Sequence, residues 1–302
     1  DRPLVALHVA KEVGLDTLHI IENSEIDLLS DEELKIKVNE ISIFARATPA
    51  QKNRIIKALQ ANGHVVGYMG DGINDAPALR MDDVGISVNN AVDVAKEAAD
   101  IILMKKSFSE LINGVIEGRK TFANTMKYIS MAVSSNFGNM ISMTISSIFL
   151  PFLPMTAVQL LLNNLLYESS QFSLSYDNVE SEYLNKPKPW DIKYIKKFMF
   201  AFGLTSTFYD LLTFAVLFKV FNLVGSGFQT GWFVESFITQ TLVIFFIRSN
   251  KSFFKSEPAH KIVVCAMFGA VIIALGIALS SLGHFFGFTP LPLVVLFVIV
   301  GI

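Results

Sequence analysis

The 302-residue chain reads as an α/β unit followed by an all-helical, membrane-spanning unit. Three observations predict this. Short aliphatic and β-branched runs alternate with helical patterns through the first third of the chain. Charged residues hold ordinary globular density up to about residue 121, and long apolar runs take over beyond about Phe122. Past that point lysine and arginine gather in alternate inter-span loops. The domains expected are therefore 1–107 and 108–302.

In the first unit "DTLHII" (16–21), "ISIFA" (41–45), "HVVGYM" (64–69), "VGISV" (84–88) and "DIILM" (100–104) have the unbroken apolar character of buried parallel strands. Between them Pro3–Val13, Asp31–Asn39, Pro49–Ala61, Asp75–Arg80 and Ala91–Ala98 carry helical patterns. Thr48-Pro49 supplies a cap and a first-turn proline to the third of these. The alternation predicts a doubly wound, Rossmann-like sheet with its site at the carboxyl ends of the strands. Net charge is −2, which gives no footprint for nucleic acid. Cys265 is the only cysteine, so no intrachain disulfide can form. The opening "DRPLVALHVAKEVG" has neither an initiator methionine nor a secretory signal, and the chain reads as a piece of a longer protein.

"GYMGDGINDAPAL" (67–79) concentrates chemistry at one strand end. Gly70 and Gly72 let backbone approach a ligand. Asp71 sits at the turn, and Asp75 opens the next helix one turn on. Two carboxylates at one place suit a Mg²⁺ that keeps its waters and shares a phosphate. The same string also reads as an N-cap with a tight turn. Asp82-Asp83 reads as a solvated loop, Arg46 as a surface ion-pair partner, and His8, His19 and His64 as fold residues.

The longer string "GDGINDAPAL" (70–79) resembles the hinge motif of P-type cation-transporting ATPases, members of the haloacid dehalogenase superfamily. "FARATPAQKNRII" (44–56) resembles that family's segment with a phosphate-contacting lysine, here Lys52. The resemblance implies a haloacid-dehalogenase-like phosphorylation domain over 1–107. It implies that Asp71 and Asp75 position a catalytic Mg²⁺, that Lys52 and Asn74 hold phosphoryl oxygens, and that Asp1 ends a T-G-D motif. The family's nucleophilic aspartate lies in D-K-T-G, which does not occur here, so the nucleophile and most of the ATP site are expected upstream, with nucleotide-binding and actuator domains.

From Phe108 to Leu150 no proline interrupts the helix formers, and a rod of that length runs to about 60 Å. "LPFLP" turns the chain, and Met155–Leu174 returns. Later spans are expected over Phe198–Val220, Trp232–Ile247 and Ile262–Leu282, with a last one from Leu291 truncated at the end, five to six in all. The 175–197 loop carries Lys186, Lys188, Lys193, Lys196 and Lys197, and the 248–261 loop carries Arg248, Lys251, Lys255 and Lys261. The turns at 151–155, 222–230 and 283–290 carry neither lysine nor arginine. The positive-inside rule makes the α/β unit and both basic loops cytoplasmic.

Within the spans polar groups mark function. "SSNFGN" (134–139) places Asn136 and Asn139 one turn apart, and "NNLLYESSQ" (163–171) places Asn164 and Glu168 on one face. Asn139, Asn164 and Glu168 are the candidate ligands of one divalent ion. Asn163 and Gln171 read as interhelical hydrogen-bonding residues. Asp210, Lys219 and Glu235 lie in or near spans without an assigned role.

"NLLYESSQFSLSYDNVESEYLNKPKPWD" and "GWFVESFITQTLVIFFIRSNK" resemble bacterial magnesium-transporting ATPases. Glu168 stands where aspartate is expected, and Asn139 where calcium pumps carry glutamate. The resemblance implies ATP-driven Mg²⁺ transport, in the direction of import, across the bacterial inner membrane through an aspartyl-phosphate. A Ca²⁺ or other divalent-cation pump is the alternative, and a non-catalytic membrane scaffold is another.

Overall fold

The computed structural model describes every residue except 1, 13, 16–18, 106 and 250–255, and leaves the Phe108 side chain undescribed. Two compact units emerge, residues 1–114 and 115–302.

The first unit contains the strands β1 (Ile20–Glu22), β2 (Ile43–Ala45), β3 (Gly67–Met69), β4 (Val84–Val88) and β5 (Ile101–Leu103). Its helices are α1 (Pro3–Glu12), α2 (Asn23–Leu28), α3 (Asp31–Lys37), α4 (Pro49–Ala61), α5 (Ala76–Leu79) and α6 (Asp93–Ala98). All pairings are parallel, as crossover helices require. The expected single sheet is instead two, β1-β2 and β3-β4-β5. Among the described residues β1 and β3 each pair on one side only, so nothing here bridges the two sheets. Val65, leading into β3, is 76 % exposed.

Local chemistry explains the boundaries. Thr48 and Gln51 form a capping box, and Pro49 needs no amide partner in the first turn of α4. Ser30 and Glu33 do the same for α3. Ile26, Leu34, Ile55 and Ile21 close one small core over β1-β2, while Leu79, Val88 and Ala95 close another beside β4. Residues 16–18 of the first expected strand, and Val13, lie outside the described residues.

The second unit begins within α7 (Phe108–Phe149), a 42-residue helix. It continues with α8 (Ala157–Gln171), α9 (Ser181–Leu184), α10 (Ile192–Ala215), α11 (Ser226–Ile247), α12 (Lys261–Leu279) and α13 (Leu293–Val300). A wider π turn, Val216–Val220, continues α10. Among the described residues three helical stretches are long and apolar enough to cross a membrane: Ile192–Val220, Ser226–Ile247 and Lys261–Leu279.

α11 is the most enclosed helix. It packs on α8, α10, α12 and α13 and buries Phe228, Trp232, Phe233 and Phe237 completely or nearly so. Phe214 meets Trp232 edge-on, with ring centres 4.9 Å apart. α7 and α10 approach at glycines. A Cβ on Gly138 would lie 3.1 Å from the Gly203 carbonyl, and one on Gly203 would lie 3.2 Å from the Ser134 carbonyl. Thr207 Oγ1 seals the contact by donating to the carbonyls of Gly203 (3.0 Å) and Gly138 (3.3 Å).

Candidate functional site

The turn after β3 is built around Asp75. A Cβ on Gly70 would fall 2.4 Å from Asp75 Cβ, so only glycine lets that side chain fold back under the strand end. The Gly70 carbonyl accepts from the wholly buried Ser87 hydroxyl at 2.9 Å, which ties the turn to β4. Asp75 Oδ1 receives Lys52 Nζ at 2.6 Å and the Tyr68 hydroxyl at 2.7 Å, and Oδ2 receives the Gly72 N–H at 3.2 Å.

The three groups set one another's charge. Burial pushes the Asp75 carboxyl up, but the bonds from Lys52, Tyr68 and Gly72 outweigh it and hold the group below the ordinary aspartate value. Burial lowers Lys52, and its bonds to Asp75 and Tyr68 reverse that, leaving it above the ordinary lysine value. Burial raises the Tyr68 phenol. The site is a fixed cation beside a strand end that also exposes the Asp71 and Asn74 side chains. The structure thus brings Lys52 and Asp75 together as an ion pair, with Asp71 and Asn74 at the surface; Asp1 lies outside the described residues. Among the described residues no group of three or more His, Cys, Asp or Glu side chains is placed to hold a metal. An ion that retains most of its water needs only one or two carboxylates, and exposed Asp71 fits that demand.

Tyr68 escaped the sequence reading. Strand alternation puts it on the same face as Gly70, which is the available signal. Asp82 and Asp83 lie in the loop before β4, with Asp83 exposed as expected, and they also accept from the Tyr68 and Val66 backbone amides at 2.9 and 2.8 Å and so pin β3. Arg46 lies 3.9 Å from Glu22, as a surface ion-pair partner should.

In the second unit the candidate ligands divide. Asn139 is 4 % exposed, and its carbonyl oxygen accepts from Gln240 Nε2 at 3.0 Å and Ser236 Oγ at 3.4 Å, both on α11 rather than α8. Asn164 and Glu168 are half-buried and make no side-chain hydrogen bond among the described residues. Asn163 overturns its expected role as interhelical glue: its amide is fully buried, and neither its nitrogen nor its oxygen has a partner. Gln171 overturns the same expectation: it is buried on α8, and neither its amide nitrogen nor its amide oxygen has a hydrogen-bond partner among the described residues. Lys219 is exposed and does not meet Asp210. Asp210 instead accepts from Ser142 Oγ on α7 at 2.5 Å and from Trp232 Nε1 on α11 at 2.8 Å.

At the end of α11, Arg248 grips Asp177 through Nε (3.0 Å) and Nη2 (2.9 Å), and Lys127 Nζ reaches the same carboxylate at 2.8 Å. Burial raises the Asp177 carboxyl, but these two cations more than reverse it.

Residues 152–302, half of the chain, match the family model described as the cation-transporting ATPase C-terminus. The chain belongs to the cation-transporting ATPase family. The chain is 47 % identical over 300 residues to a "Magnesium-transporting ATPase, P-type 1" of Salmonella typhimurium strain LT2, covering 97 % of this chain and 33 % of that protein. Its identity to the protein of the same description in Escherichia coli K12 is 46 %, with the same coverage. A "Calcium-transporting ATPase 1" of Bacillus cereus is 33 % identical over 235 residues, covering 76 % of this chain and 26 % of that protein. The chain thus spans about a third of the length of the magnesium-transporting relatives it matches.

Proposed function

We propose that this chain is part of a P-type pump that moves Mg²⁺ inward across the bacterial plasma membrane through an aspartyl-phosphate formed with ATP. The observation that carries the reading is the Lys52–Asp75–Tyr68 network at a glycine turn closing a parallel strand. Residues 1–107 belong to a haloacid-dehalogenase-like phosphorylation domain in this reading. β3 and β1 are then the inner edges of one doubly wound sheet, and a strand from outside this sequence, bearing the nucleophile, lies between them. The strand order of such folds, with the first strand central, supports this, as does the open edge at exposed Val65.

Asp71, with Asp75 behind it, would hold the catalytic Mg²⁺, which neutralises charge on a transferring phosphoryl group. Lys52 is locked by Asp75 and needs no reorganisation to face phosphoryl oxygens, and Asn74 adds a neutral donor. ATP is bound mainly by residues outside this chain. In the membrane Asn139, Asn164 and Glu168 are the cation's oxygen donors, and the unpartnered Asn163 carbonyl joins them. The basic loops at 175–197 and 248–261 face the cytoplasm, as does the α/β unit. Preference for Mg²⁺ over Ca²⁺ rests on the higher identity to the magnesium-transporting relatives.

The test uses the intact pump. Asp71→Asn should reduce acid-stable phosphoenzyme formed from ATP at least tenfold, and unchanged phosphoenzyme would remove the metal-ligand role. Glu168→Gln should form phosphoenzyme yet require far more Mg²⁺ for uptake, since divalent affinity falls with ligand charge. Turnover of the unaltered pump driven by Ca²⁺ instead would establish the alternative.

A further inference from the structure

Asp210 on α10 and Glu235 on α11 are 2 % and 5 % exposed, and their carboxyl groups lie within hydrogen-bonding reach of each other. Neither belongs to the set of oxygen donors assigned above. Their hydrogen bonds are unequal. Both Asp210 oxygens are occupied by donors, Oδ2 by the Ser142 hydroxyl and Oδ1 by the Trp232 indole, which is the environment of an ionised acceptor. Glu235 Oε1 accepts from Thr239 Oγ1 at 2.7 Å, and Glu235 Oε2 is buried with no donor at all. Two adjacent carboxylates in a dry interior cannot both stay charged, and a proton on Oε2 removes the repulsion and gives that orphaned atom a bond to make. Among the described residues the charged or titratable groups facing the pair are each other alone. α7 contributes Ser142, α10 carries no other ionisable group there, and α11 contributes Trp232 and Thr239. Lys219 is exposed, and no cation compensates the pair among the described residues.

We infer that Asp210 and Glu235 form a proton-binding dyad that carries one proton against the transported cation in each cycle. This rests on the transport reading above. The proton leaves Glu235 Oε2 to water as hydronium, leaving two carboxylates, and returns from water to the same oxygen. Loss of the proton takes the pair from one negative charge to two. A divalent cation in the same bundle favours the doubly charged form through low-dielectric Coulomb attraction, and its departure favours recapture of the proton. The path for this coupling is short, because Ser142, bonded to Asp210, sits one turn from Asn139 on α7. By linkage the effect is reciprocal: cation binding expels the proton, and acid weakens cation binding. The proton is released to the side from which the cation enters and taken up where the cation leaves, so the two move in opposite directions.

The test compares the intact pump with its Glu235→Gln variant in sealed vesicles holding a trapped pH dye and a Mg²⁺ indicator. The Gln amide can still donate to Asp210 but holds no exchangeable acid. ATP should drive proton movement opposite to Mg²⁺ in the unaltered pump, and Glu235→Gln should bring it down to the leak seen without ATP. The apparent Mg²⁺ affinity of the unaltered pump should weaken by up to about tenfold per unit of acidification where the dyad titrates, the slope of one linked proton, and Glu235→Gln should flatten that dependence. Infrared spectra give a readout independent of transport. The unaltered protein should show the carbonyl band of a buried carboxylic acid near neutral pH, shifted in D₂O and absent in Glu235→Gln. Absence of the band in the unaltered protein overturns the dyad and gives the carboxylates to the cation itself. Mg²⁺ uptake without opposed proton flux, or a Glu235→Gln variant with unaltered flux and pH dependence, overturns the exchange. Failure of the unaltered pump to move Mg²⁺ at all defeats the transport reading instead, and the infrared band then still decides whether the dyad holds its proton.

Discussion

Lys52 and Asp75 shift in opposite directions, and the signs define a pH window. Asp75 has its pKa lowered on folding, so its stabilising effect is complete above the unfolded value, about 4, and is lost as pH falls through the folded one. Lys52 has its pKa raised, so its effect is complete below about 10.4 and is lost as pH rises through the higher folded value. Between these limits neither group titrates. Lys52→Met should therefore loosen the α4–β3 region by about 1–2 kcal/mol, typical of a lost bond to a charged group. Hydrogen exchange followed by mass spectrometry should show faster exchange in both segments, by the same free energy from pH 5 to pH 9 after correction for intrinsic rate. A difference that fades by pH 6 would contradict the assignment. At this scale the string "GDGINDAPAL" located the turn after β3, because glycine and aspartate spacing is local information. It did not reveal that Asp75 is engaged by Lys52 and Tyr68, because that depends on how α4 docks on β3. The intramembrane carboxylates were visible as residues, but their pairing joins helices from separate parts of the chain.

Helix α4 shows what a local signal can settle. Thr48, Pro49 and Gln51 prescribe its start, and the helix runs over Pro49–Ala61, the predicted range. Thr48→Ala should cost about 1 kcal/mol, the usual value of an N-cap, read as a matching rise in exchange rates of the first-turn amides. By contrast α2 was missed. Its six residues are mostly polar, and only Ile26 anchors it, which is too little for a periodic signal. The single sheet expected from strand–helix alternation divides in two because alternation records order along the chain and not adjacency in space. Packing of α7 on α10 tests a different kind of information. A side chain at Gly203 would place its Cβ 2.7 Å from a Phe137 ring carbon and 3.2 Å from backbone. Gly203→Val should lower thermal stability in detergent by the equivalent of about 1–3 kcal/mol, and Gly203→Ala by less. Equal stability of all three forms would mean that the helices are not in contact at this point.

For the whole molecule, charge asymmetry between loops predicts orientation. With Cys265 replaced by serine, an impermeant thiol reagent should label Ser181→Cys only from the cytoplasmic side and Ser226→Cys only from outside. Labelling of both from one side would show an even number of spans between them. Cohesion of the second unit at its basic end depends on Asp177, buried under Arg248 and Lys127. Asp177→Asn keeps the shape but leaves two cations without their counter-charge. It should destabilise this unit by about 3–5 kcal/mol, measurable as a loss of thermal stability in detergent.

The same cluster sets a timetable for biosynthesis. Lys127 is made 50 residues before Asp177, so a partner waits when the carboxylate emerges, whereas Arg248 follows 71 residues later. At 5–20 residues per second the ribosome takes about 4–14 s to deliver it. During that interval the nascent chain holds α7 to the segment after α8 with half of the final clamp, and arrival of the arginine locks the end of α11 against helices already in place.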